Sequence, residues 1–164
     1  MKPVIEKAVP ADITAITEIY NEAILTTDAT FDNELKTITE QTKWFEEHGD
    51  KNPIVVAEAN GKVVGWASLS RWSTRCAYAD TAEISLYVKG EYRKQGIGKS
   101  LMRVVLVEGK KAGLHTVISR ITSTNDISIK LHREFEFEDI GVMKEVGKKF
   151  GKLLDVLVMQ KIYR

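Results

Sequence analysis

Residues 82–101 read Ala82-Glu83-Ile84-Ser85-Leu86-Tyr87-Val88-Lys89-Gly90-Glu91-Tyr92-Arg93-Lys94-Gln95-Gly96-Ile97-Gly98-Lys99-Ser100-Leu101. The alternation predicts a strand with two faces, Glu83, Ser85 and Tyr87 on one and Ile84, Leu86 and Val88 on the other. The strand runs into a turn holding Gly96 and Gly98. Ile97, Leu101, Val105 and Ala112 then mark a helix, with Lys110 and Lys111 in its last turn and Gly113 as its stop. Several backbone N–H groups at such a helix start lack an internal partner, and the helix dipole adds positive potential there. Glycine lets the main chain approach a ligand closely, so the turn reads as a cradle for pyrophosphate. A helix start with two glycines for tight packing would read the same way.

Two better-known phosphate motifs fail here. Gly98-Lys99-Ser100 looks like the end of a P-loop, but that loop needs glycine five residues earlier, where Arg93 stands. A dinucleotide fingerprint beginning at Gly96 needs a small residue where Leu101 stands.

Outward from this segment, Val4 to Val9 reads as a strand, and from about Ala11 a helix buries Ile13, Ile16, Ile19, Tyr20, Ala23 and Ile24. A polar stretch, Thr26 to Lys36, carries Phe31 as its one exposed-looking aromatic. Thr37 and Glu40 have capping-box spacing, and Gly49 closes the helix that bears Trp44 and Phe45. Asn60-Gly61 is a strong hairpin signal between Val55–Ala59 and Lys62–Leu69. Thr116 to Thr122 reads as strand, Ser128 to Phe135 as helix, and Phe137 to Met143 and Leu153 to Gln160 as strands. The order β-α-α-β-β-β-α-β-α-β-β excludes a doubly wound sheet and predicts one α+β domain, residues 1–164, around a mixed sheet.

Composition narrows the function classes. Lys+Arg 24 against Asp+Glu 23 leaves a net charge of +1, which gives no electrostatic case for nucleic acid. No apolar run approaches the ~18 residues of a membrane span, and the first residues lack the apolar stretch of a secretory signal. Cys76 is the one cysteine, so no internal disulfide forms, and with three scattered histidines no metal site is expected. A cytoplasmic location follows from these expectations. No histidine stands at an argued distance from Cys76, so a covalent thiol mechanism has no support.

Arg93-x-x-Gly96-x-Gly98 after a strand resembles the acetyl-CoA signature of the GNAT acetyltransferase superfamily, and the element order matches that fold. Within it the chain is similar to the phosphinothricin and methionine sulfoximine/sulfone N-acetyltransferase branch along nearly its whole length. The landmarks are Ile19-Tyr20-Asn21-Glu22-Ala23, Ala29-Thr30-Phe31, Trp44-Phe45, Arg75-x-x-Tyr78 and Glu83-x-Ser85-x-Tyr87-Val88. They continue with Asn125-x-x-Ser128-x-x-x-His132, Gly147-x-Lys149-Phe150-Gly151, Leu154-Asp155 and Met159-Gln160.

The resemblance implies a central mixed, mostly antiparallel sheet flanked by helices, and acetyl-CoA as cosubstrate. It implies that main-chain N–H groups of Lys94, Gln95, Gly96, Ile97, Gly98 and Lys99 hold the pyrophosphate. Leu86, Tyr87 and Val88 would follow the pantetheine arm, with a backbone N–H near Leu86 polarising the acetyl carbonyl. Glu83 would be the general base for an amine that is mostly protonated near neutrality; its alternative is a solvated strand glutamate. Asn125 would contact the pantetheine or serve as an ordinary N-cap. His132 would protonate the departing thiolate or be a packing histidine. Arg75, Cys76, Ala77 and Tyr78 would form the acceptor side, with Phe31 as a wall; a loop charge and a core anchor are the alternatives for Arg75 and Phe31.

One departure stands out. Glu136 occupies a position that is usually glycine after the last helix; if that position needs positive φ, the residue is strained or the turn reshaped. The implied activity is acetyl transfer to the primary amine of a small amino-acid-like molecule, by direct attack on the thioester, in a homodimer. A protein N-terminal or lysine acetyltransferase and a non-catalytic acyl-CoA sensor are the rivals.

Overall fold

Asn60 and Gly61 both take left-handed backbone, φ 54° and 75°, the geometry that reverses a strand within two residues. They join β2 (Ile54–Ala59) to β3 (Lys62–Arg71) in a computed structural model that describes residues 2–164. Met1, the first residue of the expected domain, lies outside the described residues. The other elements are β1 (Val4–Lys7), α1 (Ile13–Thr26), α2 (Ile38–His48), β4 (Thr81–Val88), α3 (Ile97–Lys111), β5 (Thr116–Thr122), α4 (Asp126–Glu134), β6 (Glu138–Lys149) and β7 (Lys152–Ile162). Thr37 accepts from the Glu40 N–H while Glu40 accepts from the Thr37 N–H, so the capping box at α2 forms as its spacing predicts.

One sheet runs β1-β2-β3-β4-β5-β7-β6, antiparallel except where β4 meets β5. Helices cover both faces. Ile97, Leu101, Met102 and Val105 of α3 and Ile129 of α4 pack with Ala67, Leu69, Ile84 and Val117. On the opposite face Ile16 and Ile19 of α1 pack with Ile54, Val56 and Trp66, and Trp44 and Phe45 of α2 close over them. The strand alternation predicted for β4 holds: Ile84, Leu86 and Val88 face α3, while Tyr87 joins the α1/α2 side. Burying each large apolar side chain contributes about 1.5–3 kcal/mol, and this two-sided burial fixes which face each β4 residue presents.

The last hairpin departs from the sequence expectation. Both strands are longer than their apolar pattern indicated, and β6 is exposed along nearly all of its length. An edge strand held by main-chain pairing needs no apolar alternation, so its polar half carries no periodic signal. Phe31, expected to be exposed, is half-buried: its ring lies against Gly147, where any Cβ would collide with it. Lys149 is 3% exposed and donates from Nζ to the Thr30 carbonyl at 2.7 Å. The β6 end thus clamps the α1–α2 connection beside β4.

Glu136 does take positive φ, 68°. Its N–H donates to the Arg133 carbonyl at 3.0 Å, and the Phe137 N–H donates to the His132 carbonyl at 3.1 Å. This pair of hydrogen bonds is the Schellman end of α4, so the turn is kept and Glu136 bears the strain of the left-handed region.

Candidate active site

The parallel pair is short. Thr81, Ala82 and Glu83 pair with Thr116, Val117 and Ile118, after which β4 and β5 separate although both continue. A strand directs alternate N–H and C=O groups to its two edges, so the freed edge of β4 offers main-chain donors and acceptors to a ligand. A cleft of about 850 Å³ opens there. Its inner walls are Ile84, Leu86 and Val88 on one side and Ser119, Ile121 and Thr122 on the other.

The mouth is the turn before α3. Lys94 and Gly96 both take left-handed backbone, φ 62° and 82°. The first bond of the helix runs from the Ser100 N–H to the Gly96 carbonyl, which directs the N–H groups of Ile97, Gly98 and Lys99 out of the helix end. Lys94, Gly96, Ile97, Gly98 and Lys99 line the cleft; Gln95 does not, and its side-chain amide donates to the Glu91 carbonyl at 3.3 Å. A Cβ at Gly98 would sit 3.6 Å from Leu86 and 3.8 Å from Leu131, ordinary contacts, so packing alone does not require glycine there. Arg93 donates to the Val88 carbonyl at 3.1 Å and lies 3.7 Å from Glu22, while Lys99 pairs with Glu134 at 3.0 Å. A long cleft with apolar walls, cationic lips and free main-chain donors fits a phosphate-bearing acyl carrier.

Asn125 caps α4, its Oδ1 accepting from the Ser128 N–H at 3.2 Å, and lines the same cleft. His132 is 5% exposed. Its Nδ1–H donates to the Ser128 carbonyl at 2.7 Å, which leaves Nε2 to accept from the Ser119 hydroxyl at 3.0 Å. Burial holds its pKa below the usual histidine value, only partly offset by the Ser128 carbonyl. A neutral ring in this tautomer has no proton on Nε2 to give. The expected acid role therefore needs an imidazolium that the site disfavours.

Glu83 lies on the opposite face. Arg120 of β5 grips it with two hydrogen bonds, Nε to Oε2 at 2.5 Å and a terminal nitrogen to Oε1 at 2.8 Å. The bidentate bond to Glu83 raises the Arg120 pKa. Arg120 also stacks 5.5 Å from the Trp72 ring. Arg120 and Ser119 escaped the sequence reading. Their signal lies in the β4–β5 register, which puts Ile118 beside Glu83 and so brings Arg120, two residues on, to the same face.

Arg75, Cys76, Ala77 and Tyr78 form an exposed turn between β3 and β4, and none of them lines the cleft. Phe31 does not line it either. The Tyr87 hydroxyl faces the α1–α2 connection, 3.5 Å from the Ala29 carbonyl, and burial pushes its pKa up to about 12.

Comparison with known proteins agrees with this geometry. Residues 14–137 match the model of the acetyltransferase (GNAT) family. An L-methionine sulfoximine/L-methionine sulfone acetyltransferase of Pseudomonas paraeruginosa is 36% identical over 98% of this chain and 94% of its own. Among solved structures, a GNAT superfamily phosphinothricin acetyltransferase from Sinorhizobium meliloti in complex with AcCoA superposes with TM-score 0.94 at 36% identity, over 99% of this chain and 89% of that one. A ribosomal-protein-alanine N-acetyltransferase from Brucella melitensis does so with TM-score 0.94 at 37% identity, over 98% and 99%. The chain belongs to the acetyltransferase (GNAT) family.

Proposed function

We propose that this protein transfers the acetyl group of acetyl-CoA to the primary amine of a small amino-acid-like molecule, of the methionine sulfone, methionine sulfoximine or phosphinothricin kind. One observation carries the reading: the gap between β4 and β5 has Ser119 and His132 on one face and Glu83 on the other. A thioester held in the cleft and an amine arriving from the far face would meet in that gap, so transfer is direct and needs no acetyl-enzyme. The relatives' named substrates support the acceptor class.

The main-chain N–H groups of Ile97, Gly98 and Lys99 would hold the pyrophosphate, and Asn125 the pantetheine side. Acetyl-CoA brings a carbonyl activated by a thiol leaving group. A free N–H on the β4 edge near Leu86 would polarise that carbonyl. Glu83 would take the ammonium proton, directly or through one water, while Arg120 fixes the carboxylate's orientation. His132 acts through the Ser119 hydroxyl as a positioning residue. We further propose that residues 1–164 work as one domain, in a cytoplasmic homodimer. The exposed Ile140, Val142 and Val146 of β6 and Leu153 of β7 support an apolar contact with a second copy.

The Brucella similarity favours one second reading, a protein N-terminal acceptor. Thiol release from acetyl-CoA against amino-acid analogues, polyamines and N-terminal peptides separates the two. The proposal expects turnover with the analogues and little with spermidine. Peptides turned over far faster than any analogue would replace the acceptor class and leave the transfer chemistry standing.

A further inference from the structure

Residues 89–93 lead from the end of β4 into the glycine turn at the cleft mouth. Three main-chain bonds shape them: the Lys89 N–H donates to the Val64 carbonyl at 2.8 Å, and the N–H groups of Tyr92 and Arg93 donate back to the Lys89 and Gly90 carbonyls at 2.9 and 3.3 Å. The Gly90 N–H points elsewhere. It donates to Oε1 of Glu22, on α1, at 2.6 Å, across 68 residues of chain.

The fit around this bond is close. A Cβ at Gly90 would stand 3.0 Å from that same Oε1, so a larger residue would push the carboxylate off the N–H. Gly90 is not among the left-handed glycines; the approach of Glu22, rather than backbone geometry, is what favours glycine here. Oε1 also lies 3.7 Å from the Arg93 guanidinium, and Arg93 donates from Nε to the Val88 carbonyl at 3.1 Å. One carboxylate thus joins α1, the end of β4 and the entry to the turn. Arg93 offsets its negative charge, which would otherwise oppose an anionic ligand in the neighbouring mouth. Glu22 does not itself line the cleft, whereas Ala23 and Thr27 on the same helix do.

We infer that Glu22 is a positioning residue for acetyl-CoA: its carboxylate oxygen anchors Gly90 to α1 and so holds the glycine turn with its free N–H groups aimed at the pyrophosphate. This rests on the proposed pyrophosphate cradle and adds to it a residue that stands outside the cleft. Preformed donors bind without first being ordered, and an unanchored turn adds that ordering cost to each binding event. What the turn needs from residue 22 is an acceptor oxygen, since its charge is answered by Arg93.

Glu22→Ala removes that oxygen, and Glu22→Gln keeps it without the charge. By calorimetric titration, the acetyl-CoA Kd should rise about tenfold in folded Glu22→Ala and stay within about threefold of wild type in Glu22→Gln. The acetyl-CoA KM should follow the Kd while kcat and the acceptor KM hold, a split that a general loss of stability does not produce. An unchanged Kd in Glu22→Ala, or equal losses in both variants, overturns the inference. Asn21→Ala is the neighbouring control. It breaks the side-chain tie of α1 to the Lys36 main chain, at 2.8 and 3.0 Å, and should leave the acetyl-CoA Kd unchanged; a loss equal to that of Glu22→Ala overturns the assignment. Gly90→Ala approaches the contact from the other side and serves even if Glu22→Ala does not fold. Its methyl group should displace the carboxylate and raise the Kd about tenfold, and the double variant should bind no more weakly than either single one. Wild-type binding by Gly90→Ala, or additive losses, overturns the tie. If Gly98→Asp binds acetyl-CoA as wild type does, the cradle itself fails; if Gly98→Asp binds weakly while Glu22→Ala does not, the Glu22 assignment alone fails.

Discussion

His48 at the end of α2 and His132 near the end of α4 are the same local device on opposite faces of the sheet. Each donates Nδ1–H to the carbonyl four residues earlier, Trp44 at 2.6 Å and Ser128 at 2.7 Å. Each accepts at Nε2 from a strand serine, Ser70 at 2.7 Å and Ser119 at 3.0 Å, and burial lowers the pKa of both. The difference is access. His132 and Ser119 line the cleft where β4 and β5 part; His48 and Ser70 lie where β3 and β4 stay paired. A helix histidine tied to a strand serine is a packing device on either face, and the break in the sheet beside His132 is what opens it to the cleft.

The comparison breaks or holds on turnover. The largest effect is expected between the two faces, at Glu83. Glu83→Gln should lower kcat by roughly 10²-fold or more at neutral pH, with partial rescue at high pH where the amine loses its proton unaided. Wild-type rates across pH would mean that the face opposite His132 takes no proton. Next comes the cleft mouth. Gly98→Asp should raise the acetyl-CoA Kd about tenfold or more, since a carboxylate would stand near phosphate, whereas Gly98→Ala should fold normally because its Cβ has room. An unchanged Kd in folded Gly98→Asp protein removes the cradle.

The histidines themselves sharpen the contrast. His132→Phe should slow turnover about tenfold with little change in acetyl-CoA Kd, while His48→Phe leaves kcat per folded molecule unaltered. Equal losses would show that both act through the fold. Their pH dependence should instead be shared. Each folded pKa lies below the unfolded value of about 6.5, so the unfolded chain binds more protons and stability is full above that pH. It is lost as pH falls from there through the depressed folded pKa, with a slope of at most about 1.4 kcal/mol per histidine for each pH unit. Urea unfolding at pH 7.5 and 5.5 should show this loss, and His48→Asn and His132→Asn should each shrink it. The smallest effect belongs to the turn after His132. Glu136→Gly should stabilise the fold by about 1 kcal/mol, read as a raised urea midpoint, because glycine adopts φ 68° without the cost of a Cβ.

Residues close in sequence settled much of the molecule. The capping box at Thr37 and Glu40, the reversal at Asn60-Gly61, the stop at Gly113 and the two faces of β4 all follow from hydrogen bonds or periodicities within a few residues. The sequence also named the glycine turn and the motif bearing His132. It did not separate the histidine that borders the cleft from the one packed where the strands stay paired, because that depends on where β4 leaves β5. Tertiary structure alone decided the Arg120 grip on Glu83, the Phe31 ring on Gly147, the Lys149 tie to Thr30 and the cavity around Trp66. The three paired contacts stand from 37 to 119 residues apart, as Arg120–Glu83 and Lys149–Thr30 bracket them. No local propensity encodes such a meeting; it follows from burying both faces of one sheet at once, which sets strand order and register together.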